Sequence, residues 1–281
     1  IDSDRRVKIR SNHSRKTLTV ATPFRIDQTR PINGLRITGP PALASPRGWR
    51  SIHIEPSRKH VLRVDGMAYP GTIAIYLNEG GTHFDVINHV MMEKYLPGVL
   101  ERELYGHWSA QTFAAQAIAA RSYALTEMGQ YRHRRFDLEA TQRSQVYGGV
   151  VTHRPSIEAV ARTRGHVLAY HGEIVPGYYS SCSGGTGQDA AIAFADAPDI
   201  PPLRGRFHGG WCSASGYYRW GPIARDRTTL GRRMAAWGRS CRHPIAGLSP
   251  LVSVEIHQRN AAGRPGSFVV MGRAPQSYSL R

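Results

Sequence analysis

The 22 residues 109–130 hold no proline, and their only glycine comes one residue from the end, so this Ala-rich run constrains the fold more than any other stretch. Ser109 is a good N-cap, and a long helix is expected over about 109–130. Ala114, Ile118, Arg121, Leu125 and Met128 recur at i, i+4, i+7, i+11 and i+14, the spacing of a buried stripe. Arg121 thus stands where an apolar residue is expected. A guanidinium on a core-facing row needs a carboxylate or several acceptors, because an unpaired buried charge is expensive. Glu101 and Glu103, just upstream, are the expected partners.

Before this run the pattern is of a different kind. Residues 7–9, 17–20, 35–38, 51–54, 61–64 and 72–76 are short β-type segments between Pro/Gly joints such as Gly39-Pro40-Pro41, which predicts a small antiparallel unit over 1–85. A short strand at 84–88 leads into a helix over 92–102, with Pro97 near its first turn. Glu103 closes that helix. The negative end of the helix dipole disfavours an ionised carboxylate and would hold it protonated, as a general acid requires; the plain alternative is a solvated surface Glu.

After the long helix, residues 131–135 form a basic cap suited to the dipole. Ser144-Gln145-Val146-Tyr147-Gly148-Gly149 reads as a strand edge entering a glycine turn, with Gln145 and Tyr147 on one side. The glycines would let the backbone approach a ligand. Taken alone, these residues favour a structural turn and a core aromatic. A helix over 155–164 with Pro155 at N1 and Gly165 as its cap, a hairpin over 166–180, a helix over 228–237 and a closing hairpin of 251–258 and 267–271 follow. The fold class is mixed α+β, divided as a β-rich region 1–85, a helical core 86–190 and an irregular and β C-terminal region 191–281 of the same domain as the core.

Charge narrows the partners. The chain is net +17, placed as +9 over residues 1–60, −3 over 61–130 and +11 over 131–281. Basic surface flanking an acidic centre suits an anionic polymer: nucleic acid, a membrane surface or a carboxylate-bearing cell wall. Of the 37 cations 33 are Arg, which a genome-wide bias would also produce. No nucleic-acid reader motif accompanies them, so no nucleic acid is expected as partner. No run of about 18 apolar residues exists, so no membrane-spanning helix is expected. The chain begins at Ile1, so a missing leader says nothing about export.

Cys182, Cys212 and Cys241 are an odd set, and two of them would pair in an exported protein; spacing does not say which. His208 and His243 would complete a zinc site with Cys212 and Cys241, but paired C-x2-C knuckles are absent, and no metal or other cofactor is expected. The loop Ser180–Gly187 has no Lys at Walker spacing and no G-x-S-x-G elbow. Trp211, Tyr217, Tyr218 and Trp220 are candidates for stacking on sugars, or simply core.

Three motifs together resemble the stage II sporulation protein D family, which includes amidase-enhancer domains of the LytB type. They are Tyr95-Leu96-x-Gly98-Val99-x3-Glu103 with Trp108; Ala115-Gln116-Ala117-Ile118-Ala119-Ala120-Arg121-Ser122-Tyr123-Ala124-Leu125; and Gln145-Val146-Tyr147-Gly148-Gly149 with Thr163-x-Gly165-x-Val167-Leu168 and Tyr179-Ser180-x-Cys182-Ser183-Gly184-Gly185. The resemblance runs over about residues 84–187. It implies an exported protein of the periplasm, wall or extracellular space that cleaves peptidoglycan glycan strands as a lytic transglycosylase, or a non-catalytic wall-binding enhancer of a partner amidase. Glu103 would be the catalytic acid and base, and Arg121 would orient it or bind a substrate carboxylate. Gln145 and Tyr147, with Ser144 and Tyr179, would shape the sugar subsite. The chain departs from the family at Ala114, where relatives often carry Lys, and in the spacer before Gln145, which has His133 but no zinc-binding Cys. The glycine- and histidine-rich segment that often follows in the family is also missing before Arg281.

Overall fold

A computed structural model describes residues 1, 3, 7–11, 14–20, 24–29, 34–38, 49–56, 61–130, 134–194, 196–219 and 221–280. The joint Gly39-Pro40-Pro41, most of the 131–135 cap with His133, and Trp220 lie outside them. The architecture is mixed α+β, in two compact units, Ile1–Tyr178 and Tyr179–Arg281.

In the first unit the β-type segments pair antiparallel, as their alternation predicts. Strands β1 (Val7–Ser11), β2 (Ser14–Val20), β3 (Arg25–Thr29), β4 (Gly34–Thr38), β5 (Ser51–Glu55), β6 (Leu62–Val64), β7 (Met67–Tyr69), β8 (Thr72–Leu77) and β9 (Phe84–His89) include a five-stranded sheet in the order β2-β1-β5-β8-β9. β3 and β4 form one hairpin, β6 and β7 another. Register sets Ile9 opposite Ile54, and Ile52 and Ile54 opposite Ile75 and Ile73. With period 2, one face of β1, β5 and β8 therefore carries Val7, Ile9, Ile52, Ile54, Ile73, Ile75 and Leu77, all buried with Phe24, Leu35, Trp49 and Leu62.

β9 runs directly into helix α1 (Met92–Glu103), and a short connector leads to α2 (Ala110–Gln130). Ser109 Oγ accepts from the Thr112 backbone N–H at 3.2 Å, the expected cap. Pro97 sits inside α1 rather than in its first turn. The buried row of α2 is Phe113, Ala117, Ala120, Arg121 and Ala124. It is rotated from the predicted stripe: Met128 is exposed, and Ala114, Ile118 and Leu125 are half-buried. Small side chains, rather than the larger apolar ones, face inward because α2 packs closely on α1 and on α3 (Arg154–Arg162). The 166–180 hairpin is reduced to β10 (Ala169–Tyr170) and β11 (Glu173–Ile174), turned by His171 and Gly172 with φ 51 and 85°.

The second unit holds α4 (Ala190–Ala193), α5 (Arg227–Cys241) and a three-stranded antiparallel sheet of β12 (Ser253–Arg259), β13 (Pro265–Met271) and β14 (Ser277–Leu280). Asp226 caps α5 by accepting from the Thr229 N–H at 2.7 Å. Its core is small: Ile245, Leu248, Leu251 and Val270, packed by Leu230, Met234, Tyr278 and Leu280.

Candidate functional site

Arg121 is 2% exposed, and its partner is Glu93, not Glu103 or Glu101. Nε donates to Glu93 Oε1 and Nη2 to Oε2, both at 2.9 Å, a bidentate fork. Nη1 donates to the carbonyls of His166 at 3.1 Å and Ala117 at 3.5 Å, and Nη2 also reaches Val160 at 3.4 Å. These acceptors match the five N–H donors of a guanidinium. Arg121 therefore ties the first turn of α1 to α2 and to the end of α3, and no donor is left for a substrate carboxylate or for Glu103. The expected pairing with Glu101 or Glu103 is therefore corrected to Glu93.

The Gln145–Gly149 segment has no regular secondary structure, but its side chains alternate as an extended chain does, and the shared side of Gln145 and Tyr147 faces inward. Gln145 is 1% exposed, accepting from Tyr95 Oη at 3.2 Å and donating to the Ala120 carbonyl at 3.2 Å. Tyr147 is 8% exposed; its ring lies 4.7 Å from that of Tyr95 and its hydroxyl donates to Asn88 Oδ1 at 3.3 Å. Burial drives the Tyr147 phenol far above its ordinary value. Asn88 in turn donates to the carbonyls of Pro70 and Thr72, fastening the segment to the sheet. Both side chains are turned into the protein and hydrogen-bonded there. The structural turn and core aromatic are what the chain builds.

The glycines serve protein packing rather than ligand approach. Gly148 N donates to the Gly98 carbonyl at 3.1 Å, and Val150 N to the Ala68 carbonyl at 2.8 Å. A Cβ at Gly98 would stand 2.7 Å from the Tyr147 ring and against the Gly149 carbonyl, and Gly149 has φ +74°. Ser144 is half-buried and turns the chain into the segment, its Oγ accepting from the Glu139 N–H at 3.2 Å. Tyr179 is half-buried at the start of the second unit.

What this packing delivers is one carboxyl group. Glu103 is the last residue of α1 and is half-buried, whereas Glu101 is exposed. The backbone N–H of Val146, between the two anchored side chains, donates to it. Burial raises the Glu103 carboxyl above its ordinary range, and the Val146 bond pulls the other way without cancelling it. The direction agrees with the sequence expectation, but the cause is burial rather than the helix dipole. A carboxyl held partly desolvated beside a fixed N–H is poised to give and retake a proton.

Directly after Glu103 stands an aromatic turn, of which only Trp108 is marked by motif. Tyr105 is 66% and Trp108 40% exposed, with their rings 5.5 Å apart, and Tyr105 stacks on His107 at 6.0 Å. The Trp108 N–H donates to the Tyr105 carbonyl at 3.0 Å, fixing the turn. Three rings within five residues after the acid are the signal the sequence offers. In the second unit Trp211 and Tyr217 are exposed, while Tyr218 is half-buried with the Arg219 guanidinium 5.7 Å from its ring centre. A cleft of about 740 Å³ there carries Arg227, Arg232 and Arg239 on its wall. Among the described residues no group of three or more His, Cys, Asp and Glu side chains is placed to hold a metal ion, and no helix is long and apolar enough to cross a membrane.

Residues 80–170 match the model of the stage II sporulation protein family. An uncharacterized protein of Brachyspira hyodysenteriae is 33% identical over 144 residues, which is 50% of this chain and 38% of the relative. The amidase enhancer of Bacillus subtilis is 33% identical over 138 residues, 48% of this chain and 19% of the relative. The chain thus spans well under half the length of either.

Proposed function

We propose, for a chain whose residues 80–170 belong to the stage II sporulation protein family, that it acts on the bacterial cell wall and cleaves peptidoglycan glycan strands with Glu103 as the single general acid and base. The observation that carries this reading is the Glu103 carboxyl, half-buried at the end of α1, raised in pKa and bonded to the Val146 N–H. Protonated Glu103 would give its proton to the glycosidic oxygen as the bond to the anomeric carbon breaks. The resulting carboxylate would then take the proton of the muramic 6-hydroxyl, which attacks that carbon and closes a 1,6-anhydro ring. No water is consumed, so no second carboxylate is needed to activate one. Tyr105 and Trp108 would offer ring faces to the sugars flanking the bond, and the basic remainder of the chain would draw the anionic wall toward it. Export follows from the wall substrate.

A second reading, a wall-binding module that activates a partner amidase, is favoured by the 33% identity to the Bacillus amidase enhancer. One digest separates them. Peptide-free glycan strands incubated with the parent protein should yield 1,6-anhydro sugars that vanish with Glu103→Gln. If neither protein yields product while both sediment with cell walls, cleavage is refuted and the enhancer reading stands.

A further inference from the structure

The structure assigns Cys182 and Cys212 as a redox pair that closes a disulfide within the second unit and leaves Cys241 free. Two loops carry them, and their backbones meet independently of the sulfurs. The Gly187 N–H donates to the Arg206 carbonyl at 2.8 Å, Thr186 bridges Phe207, and the His208 N–H donates to the Gly185 carbonyl at 3.0 Å. Followed outward, this antiparallel run brings Cys182 to Cys212. Their sulfurs lie 3.0 Å apart, a thiol-to-thiol hydrogen bond. Glycines allow the approach: Gly184 and Gly185 have φ +68 and +85°, and a Cβ on Gly185 would stand 2.7 Å from the Gly209 carbonyl. Arg264 Nη2 donates to the Ser183 carbonyl at 2.6 Å and pins the first loop.

The surroundings favour a thiolate at Cys212. Cys182 donates to its sulfur, and Ser183 Oγ, itself 2.7 Å from His208 Nε2, lies 3.9 Å away. The Cys182 bond above all, with Ser183 and the Gly185 N–H assisting, draws the Cys212 thiol down to about 7. Both cysteines are half-exposed, so an external disulfide can reach them. Cys241, by contrast, is exposed at the end of α5 and bonds within its own helix, to the Trp237 carbonyl at 3.2 Å.

The oxidant is a disulfide, either of a thiol–disulfide oxidoreductase or of glutathione. The Cys212 thiolate attacks it, one of its thiolates leaves, and a mixed disulfide forms. Cys182 gives its proton to solvent and attacks the Cys212 sulfur, expelling the second thiolate. Two protein thiols are oxidised to one disulfide as one donor disulfide is reduced to two thiols. The bond locks the Tyr179–Gly185 loop to the turn at Gly209–Cys212.

The test uses the full chain equilibrated with oxidised and reduced glutathione. One titratable thiol per chain, a mass lower by two hydrogens and a Cys182–Cys212 cross-linked peptide are expected. Three remaining thiols under oxidising buffer, or a cross-link through Cys241, overturn the assignment. In reduced protein carrying Cys241→Ser, alkylation of Cys212 should titrate near pH 7 and move to higher pH when Cys182→Ser is added. An unchanged titration, with Ser183, His208 and Arg264 still in place, would show that Cys182 does not act on Cys212 and would overturn the pair as an exchange couple.

Discussion

Replacing Arg121 by Met strips Glu93 of both its bonds and leaves the carbonyls of His166 and Val160 facing an apolar chain. Breaking a buried ion pair from one side costs about 3–5 kcal/mol. The Glu93 side chain is 31% exposed and can take up water once unpaired, which places the loss at the low end, about 3 kcal/mol or roughly a hundredfold in the folding equilibrium. Glu93→Gln should cost at least as much, because the charge then stranded is the one at 2% exposure. The double variant should recover about 2 kcal/mol as coupling. The chain has two units, so hydrogen exchange of peptides from α1, α2 and α3, followed through a urea series, reads the unit concerned. If Arg121→Met leaves that protection within about 0.5 kcal/mol of the parent while wall cleavage is lost, the structural assignment fails and Arg121 acts on substrate.

Other expectations follow from the same geometry. Glycan cleavage should fall as pH rises through the raised Glu103 pKa, because the acid form is consumed; parent stability should fall over the same interval, since the folded state resists that ionisation, so Glu103→Gln should be no less stable than the parent at neutral pH by thermal melting. Gly98→Ala should cost about 2–3 kcal/mol in urea, because its Cβ meets the Gly149 backbone and the Tyr147 ring, neither of which can yield. Trp108→Ala should weaken binding to purified glycan strands by about 1 kcal/mol, roughly fivefold in Kd, with the melting temperature unchanged. Reducing the Cys182–Cys212 bond opens a loop of 31 residues and should cost the second unit about 3.5 kcal/mol, read as a lower urea midpoint in reducing buffer.

The sequence made the elements legible where a short-range rule governs them: the period of the β segments, the Ser109 cap, the His171-Gly172 turn. It also marked Arg121 as a buried charge in need of a carboxylate. Which carboxylate it meets is set by distance along the two helices. Two helices joined by a short connector lie antiparallel, so a residue some ten places before the end of the first faces one about ten places into the second. Glu103 ends α1, but Arg121 lies eleven residues into α2, about 16 Å along its axis. Glu93, ten residues before Glu103, is at the matching level. The burial of Gln145 and Tyr147 is legible from the residues themselves, as a strand edge entering a glycine turn with an aromatic on its inward side. The Cys182–Cys212 contact was not legible, because it depends on pairing between loops that no local pattern announces.

Most of the motif residues are buried or half-buried and engaged with other parts of the protein. Gln145, Tyr147, Gly98, Gly148 and Gly149 are buried against one another or against Asn88, Ala68 and Ala120 and hold, as a frame, the segment on which Val146 sits, while Arg121 is buried against Glu93 and ties α1 to α2 and the end of α3. The Val146 N–H is consequently held in place at a half-buried carboxyl. A fixed donor lowers a carboxyl's proton affinity and drying its surroundings raises it, and at Glu103 the second outweighs the first. Loss of activity on substitution thus says nothing about chemistry unless folding is measured alongside. Frame variants should lose hydrogen-exchange protection and cleavage together, whereas Glu103→Gln should lose cleavage alone. A frame variant that kept protection and the Glu103 pH profile yet lost cleavage would mean that this division between position and chemistry is wrong.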